Sequence, residues 1–119
     1  MRIIITINGR EFAATLPDTD TVRQLAAQFP INETFQKSGS HEFFCKLKKG
    51  IDVSELSGTS DIHKNGIYYF DGWKALSFVY RDMNISPYKV VLLGDLNEDA
   101  CPVFETAMSN LPVRMEAAE

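Results

Sequence analysis

The sequence predicts a mainly β fold that closes into a barrel and carries two short helices. Three observations predict it. Asn8-Gly9 and Asp71-Gly72 each stand between apolar runs, as hairpin turns do, because the two central residues of a type I′ turn need positive φ. Seven or eight short segments of alternating or continuous apolar character are separated by turn residues, with only two stretches of helical period. Several of these strands are apolar on both faces, and closure is the arrangement that leaves no unpaired edge. An α+β roll is the alternative. With 119 residues, the chain is expected to form a single domain over residues 1–119.

The first hairpin joins residues 3–7 to 10–16. A two-residue loop fixes its register, so Ile7 faces Arg10, Ile5 faces Phe12 and Ile3 faces Ala14. Ile3, Ile5, Phe12 and Ala14 then share the core face, with Thr6 and Glu11 on the other. After Pro17 the period changes. Asp18, Thr19 and Asp20 offer N-cap oxygens, Val22, Leu25, Ala26 and Phe29 form a helical stripe, and Pro30 ends a helix of about ten residues. Residues 31–36 and 41–47 read as strands around Ser38-Gly39-Ser40, the second alternating Phe43, Cys45 and Leu47. Residues 48–66 read as a long surface connection anchored by Ile51, Val53, Leu56 and Ile62.

The second hairpin turns at Asp71-Gly72. It places Ile67, Tyr69, Leu76 and Phe78 on one face and Tyr68, Phe70, Trp73 and Ala75 on the other. Two apolar faces imply that one lines the barrel interior while a loop, a helix or a partner covers part of the other. A strand over residues 89–96, marked by Gly94, is likewise apolar on both sides. Asp99 caps a helix that runs through Phe104, Ala107 and Met108 to near Asn110, and residues 113–115 offer a closing strand.

Composition excludes several function classes. The net charge of −4, with a pI near 5.1, gives no basic field for a polyanion, which argues against a nucleic-acid partner. Lys46, Lys48 and Lys49 beside Phe43 and Phe44 read as charges that blunt a strand end. Residues 95–119 carry six acids and one base, interspersed with apolar residues as on a solvated surface. No apolar run of membrane-spanning length occurs, so no membrane is expected, and the lack of an export signal points to the cytoplasm.

Few residues offer chemistry. Cys45 and Cys101 lie outside any metal-ligand spacing and read as buried thiols, a disulfide between them being the lesser reading. His41 and His63 have no partner at ligand spacing, so no metal is expected. Cys45 and His41 share a strand face but lie about 13 Å apart along it, too far for a nucleophile and its base. No nucleophile elbow, dinucleotide fingerprint or phosphate loop is present, so no cofactor is implied. Glu98 and Asp99 read as helix-start acids rather than a catalytic pair.

The order of these elements is similar to that of a known group. The hairpin Ile-Thr-Ile-Asn-Gly-Arg-Glu-Phe-Ala-Ala-Thr-Leu, the helix ending Gln-Phe-Pro, the Asn-Gly-Ile-Tyr-Tyr-Phe and Lys-Ala-Leu-Ser-Phe-Val-Tyr segments, Val-Val-Leu-Leu-Gly-Asp-Leu and a terminal helix together resemble the small bacterial cyclophilin-like proteins. Gly66, Leu76, Tyr80 and Gly94 are the best single anchors. The resemblance implies an eight-stranded closed barrel capped by two helices, in a group whose members are mostly of unsettled function. True cyclophilins are prolyl isomerases that aim a guanidinium at the prolyl nitrogen beside an apolar pocket. Their Phe-to-Arg spacing and Gln-Gly-Gly-Asp-Phe stretch do not occur here. Phe35 is followed by Gln36 and Lys37, so no catalytic residue carries over. Arg23 and Arg81 read as surface cations with apolar stems.

The reading is therefore a non-catalytic binding or accessory module. Its candidate ligand residues are Tyr68, Phe70, Trp73, Tyr80, Arg81 and Tyr88, at an aromatic barrel rim beside the 48–66 loop, and its partner is a small molecule or a peptide. The alternatives are a weak prolyl isomerase using Arg81 or Arg23, and a homodimer subunit that buries the outer face of the second hairpin.

Overall fold

Asn8 and Gly9 take φ values of 50° and 86°, the paired positive angles that a two-residue type I′ turn demands. β1 (Arg2–Ile7) and β2 (Arg10–Thr15) pair across it in the predicted register, Ile3 to Ala14, Ile5 to Phe12 and Ile7 to Arg10. The alternation then buries Ile3, Ile5, Ile7, Phe12 and Ala14 almost completely. The computed structural model describes residues 1–118.

Helix α1 (Asp20–Ala26) starts where predicted, with the Thr19 hydroxyl accepting from the Val22 N–H at 3.2 Å. It stops short of the predicted stripe. Phe29 lies beyond the helix and packs on the core from the following turn. Next come β3 (Ile31–Ser38), β4 (Glu42–Lys46), the short β5 (Asp61–Ile62), β6 (Gly66–Phe70), β7 (Ala75–Val79), the short β8 (Met83–Asn84), β9 (Val91–Leu96), helix α2 (Cys101–Thr106) and β10 (Leu111–Ala117). Eight strands close an antiparallel barrel in the order β1-β10-β3-β4-β7-β6-β9-β2, and β5 pairs with β8 outside it.

Side chains fill the barrel. Phe35 stacks on Phe78 at 4.9 Å between centroids, and Phe104 of α2 packs on Phe43, Phe78 and Tyr80 at 5.5 to 5.9 Å. Val22 and Leu25 of α1 are buried in the same cluster. The seam between β2 and β9 is short, pairing only Ala14 with Leu96 and Thr15 with Asp95. Gly94 lies beside it. A Cβ there would overlap Leu16 Cδ2 and stand 2.8 Å from the Thr15 carbonyl oxygen, so close approach of backbone requires glycine.

Three sequence expectations are corrected. Asp71-Gly72 does not form a two-residue turn. The reversal takes four residues, a single 3-10 turn over Asp71–Trp73 followed by Lys74 at φ 52°, and the pairing is Phe70 to Ala75. Insertion of two residues preserves parity, so the predicted faces stand while the register moves by two. Helix α2 ends at Thr106 rather than near Asn110, because Leu111 already belongs to β10 and the intervening chain must turn back into the barrel. Its N-cap is Ala100 rather than Asp99, which stands one residue earlier and accepts from the Cys101 N–H at 3.0 Å. No helix among the described residues is long and apolar enough to cross a membrane.

Candidate functional site

β6 and β7 are buried on both faces, as their composition predicts. The inner set, Ile67, Tyr69, Leu76 and Phe78, belongs to the barrel core. The outer set is covered by a strap, residues 81–90, that carries β8. Ile62, Tyr68 and Val79 form a second apolar cluster there, joined by Ile85 and Val90 of the strap. The strap is tied down by Ile85 N–H donating to Ser60 O at 2.8 Å, Ser60 Oγ donating to Tyr88 O at 2.6 Å, and Asn84 Nδ2 donating to Asp61 Oδ1 at 2.7 Å.

The strap does not cover the whole outer wall. On β7 the outward residues Ala75 and Ser77 are small, while their cross-strand neighbours are large: Phe44 on β4 and Tyr68 on β6 flank Ser77, and Phe70 flanks Ala75. Small side chains between large ones leave a trench, and strap residues Met83 to Val90 wall it. The result is a cleft of about 400 Å³. It lies on the outer wall, where the sequence reading expected a site at the barrel rim.

Three aromatic rings stand over the trench. Phe70 packs against Trp73 at 6.0 Å with planes 56° apart, and against Tyr88 at 6.3 Å edge to face. Trp73 and Tyr88 remain 62 % and 63 % exposed, far more than aromatics used for packing. His41 and Glu42 line another part of the cleft, with His41 Nε2 and Glu42 Oε2 3.0 Å apart. Ser77, 5 % exposed, lines it too. Phe44 and Trp73 also border an adjoining hollow that contains Gln36 and Lys46.

Of the six predicted site residues, the cleft brings together Phe70, Trp73 and Tyr88. Tyr68 lies beneath the strap. Its hydroxyl accepts from the His63 N–H at 3.0 Å and bonds His63 Nδ1 at 3.2 Å, while His63 Nε2 pairs with Asp95, a chain of contacts that anchors the end of the 48–66 connection. Burial pushes the Tyr68 phenol up. Tyr80 points inward, stacked on Phe104, and burial raises its phenol as well. Arg81 is exposed and does not line the cleft. Arg23 pairs with Asp18 at 2.7 Å on the surface of α1. Sequence reasoning missed Phe44, Glu42 and Ser77. Their signal was parity, since each alternates with an inward residue of β4 or β7.

The thiols are chemically quiet. Burial, with Glu33 nearby, pushes Cys45 up to about 12, and burial, with Asp99 nearby, pushes Cys101 up to about 11. Both cysteines are free and buried, with no disulfide between them.

An eight-stranded antiparallel barrel, filled by side chains and strapped on its outer wall, is a cyclophilin-like barrel. Residues 5–116 match the Cyclophilin-like family, and the chain belongs to that family. The fold is similar to the solution structure of a hypothetical protein from Archaeoglobus fulgidus, with a TM-score of 0.77 and 20 % identity, over 99 % of this chain and 95 % of that one. No curated protein matches the chain.

Proposed function

We propose that the protein is a non-catalytic binding module that holds a small molecule or a peptide side chain in the outer-wall cleft. The observation that carries this reading is the pair of exposed rings, Trp73 and Tyr88, propped on Phe70 above a trench of small residues. Two exposed aromatics over a concave apolar floor lose unfavourable hydration when an occupant arrives, and the trench supplies contact area. No arginine lines the cleft, which weighs against the isomerase alternative, and both thiols are held protonated by burial.

Trp73 is the single tryptophan of the chain and reports on its own site. Titration with a library of small apolar, aromatic and charged compounds and of short peptides is expected to shift or quench its emission for at least one chemical class, saturably. The response is expected to vanish in Ser77→Leu, which fills the trench while keeping the fluorophore. An emission indifferent to every compound would remove the reading.

A further inference from the structure

The cleft is chemically one-sided, and we propose that its occupant is a small organic cation bearing an alkylated ammonium group. The proposal rests on the binding reading above and names its ligand class. Trp73 and Tyr88 each pack on Phe70, at 6.0 Å and 6.3 Å, yet do not pair with each other among the described residues. Both rings line the cleft and remain 62 % and 63 % exposed, so they are open to an occupant. A ring face carries the negative part of the aromatic quadrupole, so several rings around one cleft attract a cation.

The charges agree. Among the lining residues Glu42 is the one carboxylate, and neither lysine nor arginine is present. Its Oε2 is held by His41 at 3.0 Å, while Oε1 has no partner among the described residues, and the side chain is 25 % exposed, so its field is less screened than that of a surface acid. The Ser77 hydroxyl, in the floor of the cleft, adds an acceptor. Lys46, the cross-strand partner of Ala75 on β4, borders the adjoining hollow. An anion would meet aromatic rings and the Glu42 carboxylate, with His41 the one lining side chain able to carry positive charge. Alkylation of the ammonium is favoured because a bare ammonium is strongly hydrated and would have to shed that water to enter an apolar cleft.

The test uses two probes of one shape, choline and 3,3-dimethylbutan-1-ol, which differ in having a charged nitrogen or a neutral carbon at the quaternary centre. Each is titrated against Trp73 emission at constant ionic strength, with sodium chloride as the salt control. Choline is expected to bind at least tenfold more tightly than the alcohol, a difference of about 1.4 kcal/mol. Glu42→Gln is expected to weaken choline several-fold and leave the alcohol nearly unchanged, whereas Tyr88→Leu weakens both and choline by the larger factor. Tyr88 is exposed on the strap, so its replacement tests the cleft even where a change on β4 disturbs folding. Equal binding of the two probes, or binding only of neutral compounds from the library, overturns the cation assignment and leaves the binding reading in place. Silence of Trp73 toward the entire library overturns both.

Discussion

Replacing Gly94 by alanine tests the account of how the barrel closes. The added methyl overlaps Leu16 Cδ2 and lies 2.8 Å from the Thr15 carbonyl oxygen, well inside ordinary contact. Leu16 is 1 % exposed, and the carbonyl belongs to the two-pair seam between β2 and β9. Relief therefore requires the seam strands to part. Overpacking of a filled core costs about 1–3 kcal/mol, and a backbone obstacle places this case at about 2–3 kcal/mol. For a domain of this size that corresponds to a fall in Tm of about 6–15 °C. The assay is urea unfolding and thermal melting followed by far-ultraviolet circular dichroism, with Gly72→Ala as the control. At Gly72 the methyl would meet only the Phe70 ring, at 3.4 Å or more, so stability should stay within about 0.5 kcal/mol of wild type. In a Leu16→Ala background the extra methyl partly refills vacated space, so the added cost of Gly94→Ala should shrink while the Thr15 oxygen keeps it positive. A Gly94→Ala protein as stable as the Gly72→Ala control would refute the close-approach argument.

Two further outcomes follow from the ionisable groups. The Asp99 carboxyl, hydrogen-bonded by Asn65 and Cys101, is held at about 2 against an ordinary 3.8. Because the folded value lies below the unfolded one, its stabilising effect is complete above about pH 4 and fades as pH falls toward about 2. Wild type should therefore lose stability across that window more steeply than Asp99→Asn, measured as urea midpoints against pH, and parallel curves would contradict the assignment. Cys45 and Cys101, raised to about 12 and about 11 chiefly by burial, should resist a thiol reagent at pH 8 in the native protein and react promptly in urea. Rapid labelling of the native chain would show that a thiol is exposed.

Sequence pattern revealed the first hairpin fully, because Asn8-Gly9 leaves a two-residue loop no freedom of register. The same logic misplaced the second hairpin by two residues. There the positive φ falls on Lys74 rather than Gly72, a choice made by the 3-10 turn and invisible in an Asp-Gly pair. Parity survived, and with it the assignment of both faces. Parity would also have kept Tyr80 out of the site, since it shares the inward face of Leu76 and Phe78 and belongs to the core. Tyr68 does face outward. What hides it is the strap, whose path over the wall depends on distant ties such as Ser60 to Tyr88 and Asn84 to Asp61 that no local pattern encodes. The same ties wall the cleft, and of its lining Phe70, Trp73 and Tyr88 were read from the sequence while Phe44, Glu42 and Ser77, which parity places on the outer wall, were missed.

Alternation along β6 and β7 gives neighbouring residues unrelated duties. Tyr69, Leu76 and Phe78 answer to the interior, while Phe70, Ala75 and Ser77 answer to whatever lies outside. Exchanges in the second group, or in the strap above it, can recast the outer surface without disturbing the aromatic stack that keeps the cylinder solid. A lineage built on this scaffold is thus free to diversify its exterior while its interior stands still.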